Sequence, residues 1–144
     1  LINSYFTAKD SVISAQDASG FYNYMGYLFR NDFQVTSFTS SSINFNSGDD
    51  SYQLYIADFP GTEPYTLMLK KNAGQPKLLL ENITELTTPL RAGFELEYYD
   101  NLQSTTNILA DIVTVQATLT FDGIDENNRF RSAWAIMQTQ EEIP

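Results

Sequence analysis

The side chains that most often carry chemistry are scarce in this 144-residue chain, which has no cysteine and no histidine. Without cysteine there are no disulfides, no thiolate metal sites and no thiol catalysis. Without histidine the usual general base near neutral pH and the commonest metal ligand are gone. Serines are plentiful, yet none sits in the Gly-x-Ser-x-Gly turn that presents a nucleophile. Lys9 and Ser11 lie close together, but a Ser–Lys dyad needs a buried lysine of depressed pKa, and the pattern here places both on an exposed helix face. No glycine-rich loop has the spacing of a phosphate cradle or a dinucleotide fingerprint, and no cofactor is expected.

Carboxylates are the remaining candidates. Asp49/Asp50, Glu95/Glu97 and Glu141/Glu142 form pairs along the sequence. Acid–base hydrolysis of a glycoside needs two carboxylates in one cleft, and these pairs read instead as a turn, an exposed strand face and a tail. One segment, Asp122-Gly123-Ile124-Asp125-Glu126-Asn127-Asn128, gathers oxygen ligands on a loop, so Asp122, Asp125 and Asn127 are weak calcium candidates. The spacing is not that of an EF-hand, and Asp, Asn and Gly are equally what a hairpin turn requires. No metal site is assigned. Asn82-Ile83-Thr84 fits a glycosylation acceptor in form, and reads as the end of a strand.

Charge narrows the partners. Eighteen Asp and Glu stand against eight Lys and Arg, a formal net charge of −10. Phosphate backbones and anionic lipid headgroups attract clusters of Lys and Arg, and the nearest thing here is Lys70-Lys71. Direct nucleic-acid binding is therefore not expected. No stretch approaches the roughly 18 apolar residues of a membrane span. The chain opens on Leu1-Ile2 directly inside a helical pattern and reads as cut from something longer.

The elements that would position these residues follow from hydrophobic period. From residue 1 to 35 apolar residues recur at helical spacing: Ile2, Tyr5, Phe6, Val12, Ile13, Phe21, Met25, Leu28 and Phe29. Gly20 and Gly26 each cost about 1 kcal/mol against alanine within such a helix. In the cluster from Phe21 to Phe29 the helical spacing sends Phe21, Met25, Leu28 and Phe29 to the core and Tyr22, Tyr24 and Tyr27 partly elsewhere, so packing is preferred to a ligand-stacking platform.

Residues 36–137 carry strand patterning. Ile43/Phe45 and Tyr52/Leu54/Ile56 flank the turn residues Asn46 to Asp50, a hairpin. A second hairpin runs from Tyr65 to Leu80 through Asn72-Ala73-Gly74, and its Leu78-Leu79-Leu80 run suggests a strand covered on both faces. Phe94, Leu96 and Tyr98 alternate with polar residues. Val113, Val115, Ala117, Leu119 and Phe121 share one face of the strongest strand. Phe130 to Met137 closes a last hairpin, and residues 138–144 are a polar tail. The expected fold is α+β in a single domain of residues 1–144: a long N-terminal helix packed on an antiparallel sheet of meandering hairpins, six to eight strands in all.

Together these parts resemble the minor pilins and pseudopilins, in particular the J-type pseudopilin of type II secretion and the W-type minor pilin of type IV pili. The matching pieces are Leu28-Phe29-Arg30-Asn31-Asp32-Phe33, Leu78 to Leu86 leading into Phe94 to Tyr99, and Asp111 to Thr120 with the hairpin that follows. Asn31 interrupts the family's Arg-Asp step. The resemblance implies a pilin-like domain, periplasmic or extracellular, whose membrane helix would precede Leu1. It implies no enzyme: the chain would join other minor subunits in a tip complex that primes filament assembly. Ile2, Tyr5, Phe6, Val12 and Ile13 precede the densest core-like residues and are the expected partner contacts. Two other readings stand beside it: an envelope-associated or secreted β-rich binding module, an adhesin or glycan binder with aromatics exposed on its sheet, and an enzyme working with acidic residues alone.

Overall fold

Alternation of apolar and polar residues dominates the chain from Gln34 onward, and almost every alternating stretch is a strand. The computed structural model describes residues 2–30, 32–122 and 129–136, with side chains from residue 16. Helix α1 (Ile2–Phe29) is followed by β1 (Gln34–Phe38), β2 (Ser42–Ser47), β3 (Asp50–Ile56), β4 (Tyr65–Lys71) and β5 (Lys77–Ile83). Then come β6 (Glu85–Thr87), β7 (Leu90–Ala92), β8 (Phe94–Tyr99), a 3-10 turn (Leu109–Asp111), β9 (Thr114–Leu119) and β10 (Phe130–Ala135). Among the described residues, strands β1 to β5 form one antiparallel meander in sequence order, β10-β9-β8 a second sheet, and β6-β7 a two-stranded ribbon.

The expected architecture is corrected here. The chain is mostly β with three separate sheets; it is not a long N-terminal helix packed on one sheet. Among the described side chains of α1, which begin at residue 16, Ala18, Phe21, Met25, Leu28 and Phe29 are buried. These side chains touch both larger sheets. The Phe21 ring meets Phe94 edge-on at 6.2 Å, and Phe29 meets Phe45 at 5.4 Å and Trp134 at 5.0 Å. The main core is therefore made by inward faces of two sheets with a helix end between them.

The helix also stops earlier than its period predicts. Asp32 takes a left-handed backbone (φ 44°), reversing the chain before β1. Ser47, buried on β2, donates its hydroxyl to Leu28 O at 2.6 Å and so satisfies one of the carbonyls a helix end leaves free.

Hairpin expectations fare better. The β2–β3 turn has Gly48 at φ 59°, and the β4–β5 turn begins at Asn72 with φ 54°. Phe94, Leu96 and Tyr98 are buried, as are Val115, Ala117, Leu119 and Phe121. Val113 is 37% exposed, and Ile112 takes its place in the core. The triple leucine is not covered on both faces: β5 is an edge strand, Leu78 is exposed and only Leu80 is buried.

Candidate functional site

The carboxylate pairs are split among separate partners. Asp50 accepts from the Asn72 amide at 3.1 Å and faces Lys71 at 3.4 Å; the amide first, and then the ammonium, hold its carboxyl below the usual range. Glu95 pairs with Arg91 at 2.8 Å, and Glu97 accepts the Tyr99 hydroxyl. Glu63 accepts from Thr84 and the Glu85 backbone, while Glu85 takes the Tyr65 hydroxyl at 2.7 Å. Each of these acids is thus engaged by local structural partners, two each for Asp50 and Glu63.

Of the calcium candidates, Asp122 is exposed and its backbone N–H donates to Asn82 O at 2.6 Å; Asp125 and Asn127 lie outside the described residues. Among the described residues no three His, Cys, Asp or Glu converge as a metal site, and no helix is long and apolar enough to cross a membrane. The expected partner contacts Ile2, Tyr5, Phe6, Val12 and Ile13 fall within α1, with side chains outside the described residues, as are those of Lys9 and Ser11. Asn82 is exposed at the end of β5 with φ 62°. Phe21, Met25, Leu28 and Phe29 are buried, as their spacing predicts, while Tyr24 and Tyr27 are exposed.

A recess that no motif marks lies along the outer edge of β8. It is a cleft of about 390 Å³ between the end of β1 and the loop after β8. Phe38, Leu96 and Tyr98 supply its apolar wall, Thr39, Thr105 and Asn107 part of its polar rim, and Glu97 the one charge among the described lining residues. Phe38 sits in a Ser/Thr-rich run that gives no strand signal by alternation, and residues 105–107 read as a polar loop; only tertiary approach joins them to β8. The Tyr98 hydroxyl donates to Thr39 O at 2.9 Å and fixes one wall. Among the described residues lining the cleft, Glu97 is the one carboxylic acid.

Two tyrosines are held away from water. Tyr22 donates to Phe130 O at 2.5 Å and Tyr98 to Thr39 O, and burial pushes both hydroxyls well above their ordinary pKa of 10.0. In the unfolded chain they ionise near pH 10. Above that pH the folded state binds more protons, so this stability is intact below pH 10 and falls as pH rises past it. The urea midpoint should stay level up to about pH 10 and then decline, and Tyr22→Phe with Tyr98→Phe should flatten the decline. A folded chain whose tyrosines all ionise together near pH 10 by ultraviolet absorbance would contradict this.

No family model matches the chain, and neither a curated protein nor a solved structure shows significant similarity to it.

Proposed function

We propose that this chain is a structural, non-enzymatic subunit of the minor-pilin and pseudopilin kind, which joins neighbouring subunits through helix α1 to prime a type IV pilus or a type II secretion filament. In that role it works on the outer side of a bacterial inner membrane. The observation that carries the reading is where aromatic surface is exposed. A glycan-binding β module would present aromatic rings on an open sheet face, whereas Phe45, Tyr52, Tyr65, Phe94, Tyr98 and Phe121 are buried. Among the described residues the exposed aromatics are Tyr24 and Tyr27, at 38% and 69%, one turn apart on α1. Rings that are apolar in body and wet at the hydroxyl suit a contact between subunits. The proposal draws on this placement and the sequence resemblance, and takes nothing from the one-helix-on-one-sheet architecture corrected above.

Changing Ile2, Phe6 or Ile13 to Asp should leave the far-ultraviolet circular dichroism unchanged and weaken co-purification with subunits encoded beside it by about tenfold, the scale of a lost apolar contact. Loss of the β signal, or association as strong as before, counts against the assignment. Codons upstream of Leu1 encoding a short basic leader and about 20 apolar residues would support it, since that length spans a bilayer.

A further inference from the structure

The cleft on β8 has a chemistry that the assembly role does not use. Alternate residues of a strand present N–H and C=O to opposite edges. Leu96 turns outward, away from β9, with its N–H donating to Ser40 O at 2.7 Å. Tyr98, two residues on, turns the same way, and its C=O accepts the Thr106 N–H at 2.9 Å. The Ser40 segment so grips the outer edge at Leu96, and the Thr106 segment grips it at Tyr98 through the bridge between Tyr99 and Thr105. Continuing the Thr106 ladder would bring the Ile108 N–H to β8, but it donates to the Thr106 hydroxyl at 3.1 Å instead. By the same alternation Leu96 C=O and Tyr98 N–H lie on the outer edge between the two grips, at residues that line the cleft, and among the described residues no backbone group pairs with them.

We propose that this cleft takes an extended peptide segment bearing a lysine or arginine opposite Glu97, paired with β8 as a short added strand. A peptide backbone offers, at strand spacing, both the donor that Leu96 C=O lacks and the acceptor that Tyr98 N–H lacks. The volume of about 390 Å³ is at the lower end of ligand sites and fits a few residues rather than a whole strand. Phe38, with its ring 4.4 Å from that of Tyr98, provides an apolar surface beside the edge. Charge selects the occupant. Glu97 is exposed; one of its oxygens accepts the Tyr99 hydroxyl, and among the described residues it is the only charged one lining the cleft, while neighbouring Glu95 is paired with Arg91. Arg131 acts electrostatically on Tyr99 but does not line the recess. A chain of net charge −10 draws basic segments toward it. The site stands whether or not the chain belongs to a filament.

The test is a titration of the isotope-labelled full chain with a blocked Val-Lys-Val-Lys-Val peptide, read by amide NMR. The Tyr98 amide should shift saturably and its hydrogen exchange should slow by about tenfold, as for an amide drawn into a ladder. Methylating the peptide's central backbone nitrogens should weaken binding by about tenfold, and Glu97→Lys should do the same. The methylated peptide leaves the protein intact, so misfolding cannot mimic its effect. Equal binding of both peptides would mean recognition by charge alone and would overturn the proposal. So would shifts scattered over acidic loops with Tyr98 unmoved, or saturable movement of the same amides by maltotriose, which would give the cleft to a glycan.

Discussion

Replacing Phe29 by alanine should destabilise the chain by about 3–5 kcal/mol, the usual cost of removing a buried phenylalanine. Phe29 is 4% exposed and stands where the helix end meets both sheets. Its ring lies 4.5 Å from Phe33, 5.4 Å from Phe45 and 5.0 Å from Trp134. Phe45 belongs to the five-stranded sheet and Trp134 to the three-stranded one, so the cavity opens at the seam between them. Domains of this size are stable by about 5–15 kcal/mol, so a large share of the total is at stake. With a urea slope of about 1–3 kcal/mol per molar, the midpoint should fall by about 2 M at unchanged slope. Trp134 fluorescence should change in the folded variant, because the ring loses an edge-on neighbour. Tyr27→Ala, at a 69% exposed position two residues earlier, should stay within about 0.5 kcal/mol of the parent. A midpoint for Phe29→Ala as close to the parent as that of Tyr27→Ala would mean that the helix end is not part of the core.

Phe29 also shows why the fold was only partly legible. Phe29 and Phe33 are four residues apart, a helical spacing, and both are buried. The period in the sequence therefore continues through Asp32, although the backbone reverses there and Phe33 and Val35 reach the core from outside the helix. Local alternation identified β2, β3, β8 and β9, because period 2 is a property of each strand alone. It carried nothing about which strands pair, since both sheets use the same alternation and the choice depends on contacts distant in sequence. Hence two sheets and a ribbon looked like one sheet. The leucines at 78–80 misled for a related reason: a continuous apolar run is what a doubly covered strand shows, yet β5 ends its sheet with Leu78 exposed. The cleft on β8 was hidden because its defining groups, Leu96 C=O and Tyr98 N–H, are backbone and have no signature in residue type. The chemistry that side chains could reveal, paired acids and an oxygen-rich loop, was visible. The acids Asp50, Glu63, Glu85, Glu95 and Glu97 proved to be locally engaged.

Gly93→Ala should cost about 3 kcal/mol or more, combining an overpacked backbone with a damaged buried hydrogen bond. Gly93 lies between β7 and β8, at a point where three chain segments are laced together by backbone alone. Its N–H donates to Thr84 O at 2.8 Å, the Thr120 N–H donates to Gly93 O at 2.7 Å, and the Thr84 N–H donates to Thr120 O at 3.1 Å. Beside this triangle, Ile83 at the end of β5 forms an isolated bridge with Phe121, two residues past β9. A β-carbon at Gly93 would fall 2.4 Å from Thr120 O, and 3.2 Å from the Thr120 β-carbon and the Thr84 methyl. The first contact is to a carbonyl that already accepts a hydrogen bond, so relief requires parting the segments and not turning a side chain. Trimming the neighbours separates the two causes. Thr84→Ser removes one of the 3.2 Å contacts and leaves the contact with the carbonyl, so the double variant should regain only a small part of the loss. Gly26→Ala is the opposite case: its new β-carbon would sit 3.6 Å from the Trp134 ring, in ordinary contact, and inside a helix it should stabilise by about 0.5–1 kcal/mol. Urea midpoints for the variants, with hydrogen exchange at Thr84, Gly93 and Thr120, give the comparison. Exchange should quicken at all three amides in Gly93→Ala, because parting any two segments opens the triangle. Full rescue by Thr84→Ser would place the clash at the methyl group and remove the backbone triangle as the joint that holds the sheets together.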